Sequence, residues 1–212
     1  MEDRYSSFQE LSQTELEGRD YAITLQSLGS PVLVLAPHGG MIETGSSTIA
    51  QAIPADDLSC YCFHGTKPGN NQALHITSTR FDEPRCLALI ATADTVLTVH
   101  GERSTQDVVF LGGLDEALGQ HLQRSLVDLG FPVAPHHNPR LQGRHPQNLC
   151  NRGRLGRGVQ LELSRGLRSS LFLDHNSWPP LQPTARLQKF ALAVRLGITR
   201  HLAQLQGQST PA

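Results

Sequence analysis

Residues 36–45 read APHGGMIETG and directly follow VLVL at residues 32–35. An unbroken apolar run of this kind is typical of a buried strand, and the paired glycines allow the backbone to turn sharply where that strand ends. His38 and Glu43 are therefore expected on the two sides of one tight loop. An imidazole and a carboxylate placed in this way supply two of the three protein ligands of a catalytic zinc site with two histidines and one glutamate. Taken alone, the loop is equally well explained by a histidine bonded to backbone and a glutamate that caps the next helix.

A second predicted strand, TVLTV at residues 95–99, also ends in a histidine followed by a glycine, His100 and Gly101. In open α/β sheets, ligands bind just beyond the carboxyl ends of the strands. Two strands that end in this way, with helices between them, are expected to bring His38 and His100 to one edge of the sheet. A single histidine at a strand end more often bonds to backbone, but together with Glu43 the pattern favours a zinc site.

Length and composition limit the classes of protein to which this chain can belong. The chain has 212 residues, of which 38% are hydrophobic and 17% charged, as in a soluble globular domain with a substantial core. We expect an exposed, acidic lead-in over residues 1–20, one folded domain over residues 21–206 and a polar tail over residues 207–212. The four cysteines form no CxxC pair, which argues against a structural zinc or redox motif.

The sequence also carries an expectation about location. No apolar run is long enough to span a bilayer, and the acidic start of the chain does not read as a signal peptide. We therefore expect synthesis in the cytoplasm and no membrane partner. Contact with a substrate outside the cell would then require release of the protein by lysis, or another route of export.

Hydrophobic periodicity and residue preferences predict the remaining strands and helices. The alternating residues 21–26, followed by the turn signal at residues 27–31, predict a hairpin with the strand at residues 32–35. Further strands are predicted at residues 58–63, 74–79, 107–111 and 158–164. Helices are predicted at residues 46–53, 82–91, 114–129 and 184–205.

Nearly all of the positive charge is guanidinium. Only Lys67 and Lys189 are lysines, and the segment from Arg140 to Arg168 holds seven arginines and a single acid, Glu162. The rigid guanidinium fork suits bidentate binding of carboxylate or phosphate. A solvated basic face is the simpler explanation, but we expect this segment to meet an anion.

Glu162 lies on the predicted strand at residues 158–164, where Gln160 and Ser164 share its face. It is either a salt-bridge partner of the arginines or a general base.

The loop histidines at positions 136, 137 and 145 are expected to be solvated and are left out of the site.

Several stretches of the chain occur in an order that is specific when they are taken together. They are residues 37–43, 74–79, 81–84, 94–101, 111–113, 148–153 and 158–168. This ordered set resembles the poly-γ-glutamate hydrolases of bacteriophages and their bacterial, often prophage-borne, relatives.

The resemblance implies a zinc-dependent hydrolase with a carboxypeptidase-like α/β fold, in which a single domain holds a twisted mixed sheet flanked by helices on both faces. It implies one Zn²⁺, bound by His38, Glu43 and His100, and a catalytic carboxylate at Glu162. The remaining candidates would bind substrate carboxylates: Asn151 and Arg152, which look like the Asn-Arg pair of zinc carboxypeptidases, and Arg165 and Arg168 of the arginine segment.

The implied substrate is the anionic polymer poly-γ-glutamate, which carries a free α-carboxylate on every residue. A metal-activated water would attack its γ-glutamyl amide, with Glu162 as general base. One alternative is a zinc amidohydrolase or carboxypeptidase that acts on a small N-acyl amino acid or peptide. Another is a phage-related accessory protein that binds nucleic acid through the arginines, but the net charge of −1 and the 5% content of aromatic residues argue against it.

Overall fold

The computed structural model describes residues 3–176 and 180–208. Its seven strands are β1 (Tyr21–Gln26), β2 (Val32–Gly40), β3 (Ser59–Gly65), β4 (Thr95–Gly101), β5 (Val109–Gly113), β6 (Val133–Ala134) and β7 (Val159–Leu163). Its α-helices are α1 (Phe8–Leu11), α2 (Ser46–Ala52), α3 (Pro84–Thr92), α4 (Glu116–Asp128), α5 (Arg165–Ser170) and α6 (Ala185–Gln208).

The strands form one mixed sheet in the order β1-β3-β2-β4-β7-β5-β6. The four central strands β3, β2, β4 and β7 are parallel, so their carboxyl ends meet at one edge. Strand β1 pairs antiparallel with β3, and β5 pairs antiparallel with β7. The predicted mixed sheet of a single α/β domain is confirmed.

Helices cover both faces of this sheet, as predicted. On one face, Val34 and Leu97 of the central strands pack with α2, α4 and α6 in one hydrophobic cluster. On the other face, Leu35 and Val96 pack with α1 and α3 in a second cluster. Neighbouring residues of one strand enter different clusters because successive side chains of a strand point to opposite faces.

The predicted hairpin between the first two strands is wrong. Strand β1 pairs with β3 instead of β2, with Tyr21 opposite Gly65. Strand β2 is buried along almost its whole length, whereas β1 is half-exposed. The apolar β2 therefore takes a central position between two parallel partners, and the exposed β1 forms the edge.

The predicted strand at residues 74–79 is also wrong. Asn71–Leu74 is a 3₁₀ turn, and the chain continues as a loop. Leu74 and Ile76 are fully buried in the cluster beneath α3. The β-branched, strand-like composition of this segment therefore reflects burial against a helix layer and not pairing with another strand.

The ends of the chain differ from expectation as well. Residues 3–20 are not simply an exposed lead-in, because Tyr5 and Leu11 are buried in the second cluster. Helix α6 continues past the predicted boundary at 206 to Gln208, and residues 209–212 of the predicted tail lie outside the described residues. Among the described helices, none combines the length and the apolar character that crossing a membrane requires.

Candidate metal centre

The carboxyl ends of β2 and β4 bring three predicted ligands together. The Nδ1 atom of His38 lies 3.2 Å from Oε1 of Glu43 and 3.2 Å from Nδ1 of His100. The same nitrogen of His100 lies 3.7 Å from the other carboxylate oxygen of Glu43. Both imidazoles are almost completely buried, at 2% and 3% exposure, so side chains 62 residues apart in sequence converge at one interior point.

The two glycines after His38 make this convergence sterically possible. The pairing of β2 with β3 shifts register between Ala36 and Gly39. A Cβ at Gly39 would stand 2.5 Å from the side chain of Ser47, and Gly40 has a φ of +62° with the carbonyl of Gly65 against it. Only glycine combines a positive φ with so close an approach, which explains the Gly-Gly pair.

The hydrogen bonds around the histidines fit a metal site. The Nε2 atom of His38 lies 2.8 Å from the carbonyl oxygen of Ile76, and Nε2 of His100 lies 3.5 Å from the hydroxyl of Ser78. Metal-binding histidines usually donate the hydrogen of their other nitrogen to such a partner, which leaves the inner nitrogen free to bind the ion. Glu43 is held in a similar way, since its Oε2 accepts a 2.8 Å hydrogen bond from the backbone of Gly101.

Ring spacing favours His100 over a second nearby imidazole as the third ligand. The donor atoms of His38, Glu43 and His75 all lie within 4.8 Å of one another, so His75 is an alternative third ligand. With a Zn–N distance of about 2.0–2.1 Å, two imidazoles on one tetrahedral ion have centroids about 5 Å apart. The rings of His38 and His100 are 5.0 Å apart, whereas His75 stacks on His38 at 4.0 Å and 30°. Stacked rings direct their nitrogens side by side and not to one point, and this geometry favours His100.

Glu162 completes the cluster from β7. It is directly opposite His100 in the register of the two parallel strands, it is buried, and one of its carboxylate oxygens accepts a 3.0 Å hydrogen bond from the amide of Gln160. Burial and the neighbouring charge of Glu43 raise the pKa of Glu162 well above its ordinary value.

The pKa of Glu43 is shifted in the opposite direction from that of Glu162. Burial raises the pKa of Glu43, but the charges and hydrogen bonds of His38 and His100 outweigh burial and hold this pKa well below the ordinary value. Two carboxyl groups with pKa values pushed apart are typical of sites that perform acid–base chemistry.

The side chain of Asn151 is bonded within the protein. Its side-chain amide donates to the carbonyls of Gly143 and His145, at 2.7 and 3.0 Å, and its oxygen accepts from the backbone of Leu114 and Gly158. Both amide hydrogens are used, so none is available for a substrate carboxylate. The buried Asn151 ties together the irregular loop that precedes β7, so these bonds argue against its predicted contact with a substrate carboxylate, which stays a prediction.

The three predicted arginines differ from one another. Arg168 is buried, and its guanidinium donates to the backbone carbonyls of Thr44, Glu102 and Leu163, so it is engaged in holding the ends of three segments together. Arg152 is half-buried and, among the described residues, donates one bond, to the carbonyl of Phe81 at 3.3 Å. Arg165 is exposed at the start of α5. Substrate contact through Arg152 and Arg165 stays a prediction.

The positions of two histidines near the site were not predicted from the sequence. His75 was assigned to a strand, although it lies in one of the stretches that carry the family resemblance. His136 was expected to be solvated, yet it is buried against Phe110 with ring centroids 4.5 Å apart. Phe110 is the register partner of Glu162 on β5. His137, by contrast, is exposed.

Comparison with known proteins places this arrangement in context. A sequence model of the poly-gamma-glutamate hydrolase family matches residues 5–193. The protein YndL of Bacillus subtilis (strain 168) is 39% identical over 177 residues, which cover 81% of this chain and 68% of YndL. The SPbeta prophage-derived protein YoqZ of the same strain is 36% identical over 171 residues, which cover 80% of this chain and 62% of YoqZ.

Solved structures agree with the sequence matches. A bacteriophage poly-gamma-glutamate hydrolase superimposes with a TM-score of 0.90 at 26% identity, over 96% of this chain and 100% of the phage chain. A zinc-free structure of YndL gives a TM-score of 0.84 at 36% identity, over 95% of this chain and 98% of the other. The N-formylglutamate amidohydrolase of Ralstonia eutropha JMP134 shares the fold alone, with a TM-score of 0.52 at 13% identity over 87% of this chain and 98% of its own.

Proposed function

This chain belongs to the poly-gamma-glutamate hydrolase family, and from that premise we propose that it cleaves the γ-glutamyl amide bonds of poly-γ-glutamate with the help of one zinc ion. The observation that carries the proposal is the convergence of His38, Glu43 and His100 beside the buried carboxyl group of Glu162. The family indicated by the ordered sequence stretches is confirmed by the family match over residues 5–193, and this family is one of hydrolases.

The donor set suits zinc. Two imidazole nitrogens and one carboxylate are the protein ligands of one class of catalytic zinc site, in which a further position is open to water. When bound, zinc lowers the pKa of a coordinated water and polarises the carbonyl of the amide. His38, Glu43 and His100 would hold the ion, and their hydrogen bonds to Ile76 and Gly101 already orient two of them for it.

Glu162 is the proposed general base. The Gln160 amide donates to Oε1 of Glu162 and thereby fixes the plane of the carboxylate, so that Oε2 is the oxygen left to accept a proton. A nearby divalent cation favours the ionised form of a carboxyl group, which offsets the raised pKa that burial gives Glu162. In the ionised form Glu162 takes a proton from the attacking water and then delivers it to the leaving amide nitrogen.

Arg152 and Arg165 are the proposed binding residues for substrate carboxylates. Each γ-linked residue of the polymer offers a free α-carboxylate, and guanidinium binds carboxylate through two parallel hydrogen bonds. Arg152 uses one described bond to Phe81, and Arg165 is exposed at the carboxyl end of β7, so both retain donors for a substrate.

The nucleic-acid alternative is weakened by the way in which the arginine segment is used. Arg154 pairs with Asp94, Arg157 lies 3.7 Å from Asp115, and Arg168 is buried against backbone carbonyls. The segment is therefore not a continuous basic face of the kind that follows a phosphate backbone.

The test combines metal analysis with hydrolysis. Purified wild type, His38→Ala and the control His137→Ala are each assayed for zinc content and for the release of glutamyl fragments from poly-γ-glutamate. We expect about one zinc per chain and hydrolysis in the wild type and the control, and loss of both in His38→Ala. Zinc-free but active wild-type protein would overturn the metal proposal, and zinc-loaded protein without activity on the polymer would overturn the substrate.

A further inference from the structure

One loop contacts both histidines of the candidate metal centre. Its residues are 75–78, and we refer to it as the support loop. The carbonyl of Ile76 accepts from His38, the hydroxyl of Ser78 lies next to His100, and the ring of His75 stacks on the ring of His38. The position of this loop therefore sets which nitrogen each of the two histidines directs to the centre.

The support loop is held in turn by Asp3, near the start of the described chain. One oxygen of Asp3 lies 2.7 Å from Nδ1 of His75, and the other accepts from the backbone of Thr77 at 2.7 Å and from Arg80 at 2.6 Å. The side chain of Asp3 is only 3% exposed. A carboxylate buried to this degree is stable only when hydrogen bonds replace its hydration, and here the support loop and Arg80 supply them.

The protonation state of Asp3 agrees with this geometry. Burial raises the pKa of Asp3, but the hydrogen bonds from Thr77 and His75 outweigh burial and lower this pKa to about 2. Asp3 is thus ionised at neutral pH, and its charge favours the tautomer of His75 that carries a proton on Nδ1.

We propose that Asp3 is a positioning residue of the metal centre, which acts through the support loop to orient His38 and His100. The proposal rests on the proposed zinc-dependent function. Leu74 and Ile76 are fully buried in the core and keep the support loop against the sheet without Asp3, so loss of Asp3 is expected to loosen the orientation of the ligands and not to unfold the domain. Loss of such an outer partner typically weakens metal affinity by about 10- to 100-fold.

The experiment measures zinc affinity separately from stability. The dissociation constant for zinc is obtained by competition with a chromophoric chelator for the wild type, for Asp3→Asn and for a matched control, Glu15→Gln. Glu15 is also a buried acid of the first 20 residues, but its bonds go to Tyr5 and Lys67 and not to the support loop. The Tm of each metal-free protein is recorded in parallel.

We expect the dissociation constant to rise by about 10- to 100-fold in Asp3→Asn and to stay unchanged in Glu15→Gln, even where Glu15→Gln lowers the Tm. An unchanged constant in folded Asp3→Asn overturns the role of Asp3 and leaves the proposed function intact. Absence of zinc binding in the wild type overturns both. If Asp3→Asn does not fold, the variant Ser78→Ala tests whether the support loop orients the metal ligands, because it removes only the hydroxyl next to His100. Weakened zinc binding in Ser78→Ala supports this role of the support loop. Wild-type affinity for zinc overturns it.

Discussion

His100 and Glu162 are register partners on the adjacent parallel strands β4 and β7, and their side chains lie on the same face of the sheet. Adjacent strands are about 4.8 Å apart, so the backbone itself fixes the separation between the proposed ligand and the proposed base. Catalytic groups held on strands in this way are positioned more rigidly than groups on loops.

The proposed base gives the first prediction. Glu162→Gln keeps the shape of the side chain and the contact with Gln160 but cannot accept a proton. We expect zinc content to stay near that of the wild type and kcat on poly-γ-glutamate to fall by about 10²- to 10⁴-fold, the usual contribution of a general base. The matched control is Glu116→Gln, since Glu116 is an exposed acid at the start of α4, whereas the charge of Glu102 contributes to the raised pKa of Glu162. Activity that survives in Glu162→Gln would assign the base to another group.

The adjacent residues Asn151 and Arg152 are expected to respond differently to replacement by alanine. Asn151→Ala removes four hydrogen bonds and leaves the backbone N–H of Gly158 without its described partner, and we expect it to lower the free energy of unfolding by about 2 kcal/mol. Arg152→Ala removes a proposed carboxylate ligand. Hydrogen bonds to charged groups contribute about 1.5–3 kcal/mol, so we expect KM to rise by about 10- to 100-fold with little change in Tm.

Steady-state kinetics and thermal unfolding of both variants separate these effects. Arg154→Ala serves as the control, because Arg154 is an exposed arginine paired with Asp94. An unchanged KM in Arg152→Ala would remove Arg152 from substrate binding. A raised KM in a fully stable Asn151→Ala would restore Asn151 to it.

The prediction for Asp3 concerns pH. The folded-state pKa of Asp3 is lowered from 3.8 to about 2, so between these values the unfolded chain binds more protons than the folded one. Its stabilisation is therefore complete above about pH 4 and is lost as the pH falls towards about 2. We expect the difference in Tm between metal-free wild type and Asp3→Asn to be largest near neutral pH and to shrink across that acidic window. A difference that grows on acidification would contradict the assigned direction.

The convergence of His38 and His100 could be predicted from the sequence, whereas the pairing of the strands could not. Apolar runs that end in His-Gly indicate strands whose carboxyl ends carry the proposed ligands, because a buried strand and a glycine turn are both local properties. The position of β1 at the edge beside β3 depends on which strand buries more surface, and this is decided by competition among all strands of the sheet.

The support loop shows a second limit of the sequence analysis. Residues 74–79 have the β-branched composition of a strand, but Leu74 and Ile76 are fully buried because they pack beneath α3 in a loop. Asn151 shows a third limit: an Asn-Arg pair looks the same in sequence whether its amide faces a substrate or the carbonyls of Gly143 and His145. Only the tertiary structure distinguishes these cases.

The dependence of Tm on zinc can decide which histidine is the third metal ligand. A metal that binds only the folded state stabilises it by RT ln(1 + [L]/Kd), or about 2.7 kcal/mol at a free concentration of 100 Kd. Thermal unfolding with buffered zinc and with chelator is measured for the wild type, His100→Ala and His75→Phe, in which the aromatic ring over His38 is retained. The 5.0 Å spacing of His38 and His100 predicts that the zinc-dependent rise in Tm is lost in His100→Ala. The 4.0 Å stacking of His75 predicts that a smaller rise persists in His75→Phe, which loses only the bond between His75 and Asp3. The reverse result would make His38, Glu43 and His75 the ligand set, and His100 would then be a neighbour of the ion and not a ligand.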